Sequence, residues 1–280
     1  MPDRKNLPHL LKLLEDDSPV VREAVGRELA AFGPALQDEL SKLDPPPPPY
    51  QRRAVREFLA ERRRNALREA WTPWLDQPDG PGKLESALGL LSEYLSAVPA
   101  SRLGALLDGL ANDYRAAHDE PEAGRLADFL FRRIGLKGAV TDYYNPLNSD
   151  LVYVVEEKRG LPISLACVYI LVGRRLGLEI GGCNLPGHFM ARIEREGHTV
   201  LVDCFDGGRM IEEGAFADLA ETSSLESLGE TVRKSADTET IVARVLANLI
   251  NAYQSGGGEE EAHFIAELQE QLESRRGGSA

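Results

Sequence analysis

The stretch that decides the fold covers residues 142–178 and reads DYYNPLNSDLVYVVEEKRGLPISLACVYILVGRRLGL. It predicts a polar turn, a short helix, a second turn at Arg159-Gly160 and then a second helix. Pro162 suits the first position of that helix, where a missing N–H costs nothing, and Gly177 suits its end. Because residues 163–172 are almost all apolar, this helix should be buried on nearly all sides.

Two strands are predicted after the helix, where the sequence begins to alternate. HFMARI at 188–193 and TVLVD at 199–203 flank a turn at Glu196-Gly197. The hairpin carries His188 at one end and Asp203 at the other, and the two can sit side by side if they share a face. We expect them to be hydrogen-bonded neighbours facing the first half of the helix, as in thiol and serine enzymes whose carboxylate orients a histidine.

Four blocks carry a family resemblance: DYYNPLNSDL, RGLPISLACVYILVGRRLGL, LPGHFMARI and LVDCFDGGRMI. Together they closely resemble the SirB-type transglutaminase-like family of bacteria. The resemblance implies an α+β fold that is mostly helical, with a small antiparallel sheet packed on a buried central helix, the papain/transglutaminase-like core. It also implies a cysteine nucleophile in the first turn of that helix, where this chain has Pro162-Ile163-Ser164 instead.

Two side chains remain as candidate nucleophiles. Ser164 is the nearest, and Cys167 lies three residues later on about the same helix face but one turn deeper. Because apolar surroundings disfavour a thiolate, Cys167 is interpreted as a core thiol. The candidate catalytic set is therefore His188 as general base, Asp203 as its orienting carboxylate, and Ser164 or, less favoured, Cys167. We expect Ser164 to fall short of His188 and to act as a hydrogen-bonding residue at the helix start.

Two functions stay open. One is a hydrolase or acyl transferase of the serine or cysteine type, acting on peptide or amide bonds through the His–Asp pair. The other is a non-catalytic descendant of the fold that binds a protein or peptide in its cleft. The missing first-turn cysteine favours the second.

Metal and phosphate sites are not predicted. Cys183, His188 and Cys204 are potential zinc ligands, but their spacing matches no standard zinc pattern. The glycine pairs at 181–182 and 207–208 lack the lysine and the strand–loop–helix context of a phosphate loop. No cofactor is expected.

The net charge and composition of the chain argue against some classes of partner and some locations. The net charge of −13 over 280 residues argues against nonspecific binding to nucleic acid or to an anionic membrane. The first residues lack the apolar segment of a signal peptide, and no apolar run has the length of a membrane span. Three cysteines without framework spacing suit a reducing compartment, so the sequence predicts a cytoplasmic protein.

The flanks predict further units around the core. Residues 1–44 resemble a HEAT-like helical hairpin, and the five prolines at 45–49 read as a semi-rigid linker. Residues 50–137 form a helical N-terminal half that begins with a charged helix over 50–76. The transglutaminase-like core covers 138–235, ending in short helix and loop over 214–235. Residues 236–280 form a tetratricopeptide-like hairpin with a short tail.

Overall fold

The computed structural model divides into two compact units, Met1–Ala70 and Trp71–Ala280, which are described separately below. The residues that the structure describes are 2–14, 16–212, 215, 229 and 231–277. Most of the segment predicted as short helix and loop, 214–235, therefore lies outside the described residues.

The first unit is built from helices α1 (Leu7–Lys12), α2 (Pro19–Ala30), α3 (Leu36–Ser41) and the first part of α4 (Pro49–Leu75). Their apolar stripes meet in one core, formed by Leu7, Leu10, Leu14, Val25, Leu29, Phe32, Leu36, Leu40 and Val55. Helix α4 is the charged helix that the sequence predicts over 50–76.

The second unit holds most of the helices. They are α5 (Lys83–Ser96), α6 (Ser101–Ala117), α7 (Ala123–Ala127) with a π-helical turn at Asp128–Arg133, α8 (Leu151–Glu157), α9 (Pro162–Arg175), α10 (Thr238–Ser255) and α11 (Glu259–Gly277). No helix in the described part of the chain is long and apolar enough to cross a membrane.

Helix α9 is the predicted central helix. Every residue from Pro162 to Gly173 is buried. Pro162 takes the first helical position after the extended Leu161, and Gly177 ends the helix with φ +74°. The N–H of Leu178 closes the end by donating to the carbonyl of Gly173 at 2.9 Å, a pattern that needs the left-handed backbone of Gly177.

A four-stranded antiparallel sheet packs on α9. Its strands run in the order β3 (Ile180–Leu185), β4 (His188–Arg195), β5 (His198–Asp203) and β6 (Arg209–Glu212). Glu196 and Gly197 join β4 to β5 with φ of 54° and 80°, the two left-handed residues of a tight hairpin turn. A separate parallel pair joins β1 (Lys137–Gly138) to β2 (Arg159–Gly160). The α+β, mostly helical fold with a small sheet on a buried helix is thus confirmed.

Strand β3 was not predicted. Its sequence, IGGCNL, contains two glycines, which are poor strand formers. The fold requires both because other groups approach the backbone closely. A Cβ on Gly182 would lie 2.6 Å from the ring of Phe189, and one on Gly181 would lie 2.3 Å from the hydroxyl of Ser235.

Candidate functional site

His188 and Asp203 meet at one end of the sheet. Ala191 on β4 lies opposite Val202 on β5, so the next step places Asp203 opposite Met190. His188 is two residues before Met190, and therefore on the same face as Asp203. Its Nε2 lies 3.0 Å from Oδ1 of Asp203, so the structure brings the two predicted residues together.

The contact between them is at hydrogen-bond distance. Among the described residues, Nε2 of His188 has no well-directed hydrogen bond, although its distance to the carboxylate is that of one. At this distance His188 acts on the Asp203 carboxylate and favours its ionised form. Burial raises the pKa of Asp203, but His188 and the N–H groups of Phe205 and Asp206, both 3.1 Å from Oδ1, outweigh it. The pKa of Asp203 therefore lies below its ordinary value, and the group is a carboxylate at neutral pH.

The pair lies on the face of the sheet opposite the one that packs on α9. Ile180 contacts α9, since a Cβ on Gly173 would lie 2.5 Å from its Cδ1. Ile180 pairs with Ile193, and alternation along β4 then places Phe189 on the α9 face and His188 on the other. The expectation that the pair faces the first half of α9 stays a prediction.

Ser164 is buried and its hydroxyl is already engaged. Its Oγ donates to the backbone carbonyl of Asn148 at 2.7 Å, and the same carbonyl accepts from the N–H of Leu161 at 3.4 Å. No hydrogen bond joins Ser164 to His188 within the described part of the chain. A hydroxyl has one proton to donate, so the bond to Asn148 leaves none for an imidazole.

Cys167 is a core thiol. Its side chain is fully buried, and burial raises its pKa to about 12, with only a weak opposing effect from Arg174. The thiolate, which is the reactive form, is therefore strongly disfavoured at neutral pH. The structure does not bring this sulfur and His188 into a described hydrogen bond.

The three residues weighed as zinc ligands are dispersed in other contacts. Cys183 donates to the carbonyl of Thr231 at 3.8 Å, and Cys204 to that of Val202 at 3.6 Å. Burial raises the pKa of both thiols, that of Cys183 to about 11. Within the ranges that the structure describes, no three His, Cys, Asp or Glu side chains are grouped to hold a metal ion.

Sequence patterns did not predict three aromatic residues that lie beside His188. Phe205 stands edge-on to the His188 ring at 6.5 Å, Tyr143 lies 6.3 Å from Phe205, and Tyr144 lies 5.4 Å from Tyr143, all between ring centroids. Tyr143 is 37% exposed and Tyr144 59% exposed. We call Tyr143, Tyr144 and Phe205 the aromatic wall. Two neighbouring tyrosines in an otherwise polar turn were the available signal.

Asn148 links Ser164 to this wall. The Asn148 side chain is buried, and its amide N–H groups donate to the backbone carbonyls of Asp142 and Tyr143. The backbone carbonyl of Asn148 accepts from the Ser164 hydroxyl. Phe205 is seated by Gly138, where an added Cβ would lie 2.6 Å from its ring. Ser164 thus acts as a positioning residue for the loop that carries the tyrosines.

The candidate site does not coincide with a surface pocket found elsewhere in this unit. A pocket of about 590 Å³ is lined by the end of α4 and by α11, through Thr72, Leu75, Glu267, Glu270, Gln271, Ser274 and Arg275. None of the predicted site residues lines it. We therefore define the site by its chemistry, as the His–Asp pair and the aromatic wall.

Comparison with known families agrees with this core. A family model described as the transglutaminase-like superfamily matches residues 100–247, more than half of the chain, including all four predicted site residues. This chain belongs to the transglutaminase-like superfamily. Its transglutaminase-like domain runs from α6 into α10 and contains α9, the sheet and the aromatic wall.

Curated relatives match parts of the chain. A UPF0162 protein of Xylella fastidiosa (strain Temecula1) is 35% identical over 131 residues, which cover 45% of this chain and 46% of that protein. UPF0162 protein PA3419 of Pseudomonas aeruginosa is 29% identical over 182 residues, 63% of this chain and 67% of that protein. F-box only protein 21 of Homo sapiens is 34% identical over 77 residues, 28% of this chain and 12% of that protein. The chain thus spans less than half of the length of the Xylella relative. No solved structure matches this chain.

Proposed function

We propose that this transglutaminase-like domain is non-catalytic and binds a protein or peptide at the surface formed by His188, Asp203 and the aromatic wall. The observation that carries the proposal is the buried Ser164 hydroxyl, which donates to the Asn148 carbonyl at 2.7 Å. The place that would hold a nucleophile is occupied by a structural hydrogen bond.

Neither candidate nucleophile is available at low cost. Freeing Ser164 would leave a buried carbonyl without one of its donors, which costs about 1–3 kcal/mol before any chemistry begins. For Cys167, the pKa of about 12 leaves roughly one thiolate in 10⁵ molecules at pH 7. A hydrolase would need one of these groups to be exposed and activated.

The other half of the site supports binding. His188 is 30% exposed and its Nε2 lies 3.0 Å from Asp203, so Nδ1 is the ring nitrogen left for a ligand. Exposed tyrosines supply large contact area at low conformational cost, with a hydroxyl for hydrogen bonding. An uncharged aromatic surface beside a histidine and a carboxylate suits a peptide segment.

The finer assignments belong to the same proposal. We infer that the domain is of the SirB type, that residues 1–44 are a HEAT-like hairpin and that 236–280 are a tetratricopeptide-like hairpin. The pairing of α10 with α11 across the glycines at 256–258 supports the last of these. We also infer a cytoplasmic location, which the three free cysteines support.

The test is a panel of amide and ester substrates assayed with the wild type, Ser164→Ala and His188→Ala, with circular dichroism to verify folding. We expect no turnover by any of the three. A wild-type activity removed by both substitutions in folded protein would instead establish the alternative, a hydrolase or acyl transferase that uses the His–Asp pair.

Binding is tested on an array of random octapeptides. We expect Tyr144→Ala to reduce the peptides retained by the wild type. Tyr50→Ala is the matched control, because Tyr50 is 71% exposed but lies on α4 in the first unit. Equal retention by wild type and Tyr144→Ala would contradict binding at the aromatic wall.

A further inference from the structure

Arg244 is a half-buried cation on α10 that has no acidic partner among the described residues. Its Nη1 donates to Oδ1 of Asn184 on β3 at 3.2 Å. Within the described residues, no carboxylate lies at ion-pair distance from it, although the chain has 45 acidic and 32 basic residues. A partly desolvated charge without a counter-charge costs free energy, which a bound anion would offset.

Arg244 adjoins the aromatic wall. The 3₁₀ turn Pro146–Ser149, which belongs to the same loop as Tyr143, packs against α10. Burial raises the pKa of Tyr143, and the positive charge of Arg244 acts against that rise. Tyr143 in turn connects through Phe205 to His188.

We propose that Arg244, Asn184 and Tyr143 form a binding site for a carboxylate, and that it takes the side chain of an Asp or Glu next to an aromatic residue in a peptide. The inference rests on the proposed function, because it names the chemistry of the peptide bound there. The aromatic residue of the peptide packs on the aromatic wall while the carboxylate meets Arg244.

The donor set fits that ligand. A guanidinium matches a carboxylate with two parallel N–H donors, and such charge-assisted bonds are about twice as strong as neutral ones. The Oδ1 atom of Asn184 accepts from Arg244, which leaves the two N–H groups of the Asn184 side-chain amide to donate to a ligand. The hydroxyl of Tyr143 adds a further donor.

The experiment uses three fluorescein-labelled peptides with blocked ends: Gly-Ser-Phe-Glu-Ser-Gly, the same peptide with Gln for Glu, and the same peptide with Ala for Phe. Fluorescence anisotropy with the full chain measures each Kd. We expect the Phe–Glu peptide to bind about tenfold more tightly than the Phe–Gln peptide, the effect of one charge-assisted bond. The difference should shrink as salt is added, because salt screens a partly exposed pair.

Variants assign the preference to Arg244. Arg244→Gln keeps a donor for Asn184 and should bind the Phe–Glu and Phe–Gln peptides equally. Asn184→Asp places a carboxylate 3.2 Å from the guanidinium, so it should remove the preference for the Phe–Glu peptide. Because this change strengthens the contact with Arg244, a lost preference cannot be attributed to unfolding. Arg102→Gln is the control, since Arg102 already pairs with Glu156 at 2.6 Å, and it should bind like the wild type.

The outcomes separate the carboxylate site from the proposed function. Equal binding of the Phe–Glu and Phe–Gln peptides by the wild type, with both lost in Tyr144→Ala, overturns the carboxylate site and leaves peptide binding intact. Absence of binding by all three peptides overturns both. Cleavage of a peptide contradicts the non-catalytic function. The carboxylate site is then still tested by whether Arg244→Gln removes the preference for the Glu peptide.

Discussion

The first turns of α9 and the end of the sheet at His188 are the two halves that a catalytic site of this superfamily would join, and they are built differently. In α9, Ser164 and Cys167 are fully buried, and the Ser164 hydroxyl is tied to Asn148. At the sheet end, His188 is 30% exposed beside the ionised Asp203. One half has the character of a core and the other that of a binding surface.

Under the proposed function, the domain keeps a His–Asp pair without using it for catalysis. The same first-turn position that could activate a nucleophile here stabilises the loop that carries Tyr143, through Asn148. In that proposal, the exposed imidazole beside a carboxylate and aromatic rings contacts a ligand without chemistry.

The largest expected effect compares two neighbours on β4. Phe189 is 1% exposed on the α9 face, so Phe189→Ala should lower the free energy of unfolding by about 3–5 kcal/mol. His188→Ala, on the opposite face, should cost less than about 1 kcal/mol. Urea unfolding followed by tryptophan fluorescence measures both, because the two tryptophans, Trp71 and Trp74, lie in the second unit. Equal costs would contradict the assignment of faces.

Ser164→Ala should destabilise the domain without removing an activity. The lost hydrogen bond leaves the buried Asn148 carbonyl with a weaker set of donors, and we expect a loss of about 1–3 kcal/mol by the same fluorescence measurement. Ser101→Ala is the control: Ser101 is exposed at the start of α6, and its change should stay within about 0.5 kcal/mol. A Ser164→Ala protein as stable as the wild type would show that the Asn148 contact contributes nothing.

Alkaline pH should lower the stability that the buried thiols of Cys167 and Cys183 contribute. Burial raises the pKa of Cys167 from 9.0 to about 12 and that of Cys183 from 9.0 to about 11. The unfolded chain therefore loses these protons first, so stability is fully present below about pH 9 and falls as the pH rises toward 12. Urea midpoints measured across that range should fall less steeply in Cys167→Ala than in the wild type. Parallel curves would indicate that Cys167 is not buried as a thiol.

The smallest effect is a change in the titration of Asp203. Its lowered pKa means that the contact with His188 stabilises the fold above the ordinary aspartate pKa of about 3.9 and is lost as the pH falls through the folded value. In His188→Ala burial has less to oppose it, so the pKa of Asp203 should rise, as followed by carboxyl NMR. Asp237, whose lowered pKa depends on Thr240 and Arg276 and not on His188, is the internal control. An unchanged pKa of Asp203 in His188→Ala would contradict the interaction between the two side chains.

Local signals made most of the core predictable. Pro162 and Gly177 mark the ends of α9, and Glu196-Gly197 marks the hairpin, because each residue supplies a backbone geometry that its neighbours do not. Strand β3 escaped prediction because its glycines are required by Phe189 and Ser235, which approach from elsewhere in the chain.

The site was predictable only in part for the same reason. The spacing of His188 and Asp203 across one hairpin brings them together, so sequence sufficed. The partner of Ser164 is Asn148, sixteen residues away in the preceding turn, and no periodicity reports such a bond. Arg244 contacts Asn184 from 60 residues further along the chain, so this contact depends on tertiary packing alone.

The most direct test of an inert nucleophile half is intact-protein mass spectrometry after incubation of the folded chain with a fluorophosphonate and, separately, with iodoacetamide at neutral pH. We predict no adduct on Ser164 or Cys167 until the protein is unfolded, when Cys167 should label fully with iodoacetamide. A stoichiometric adduct on either residue in the folded protein, removed by His188→Ala, would contradict the non-catalytic function.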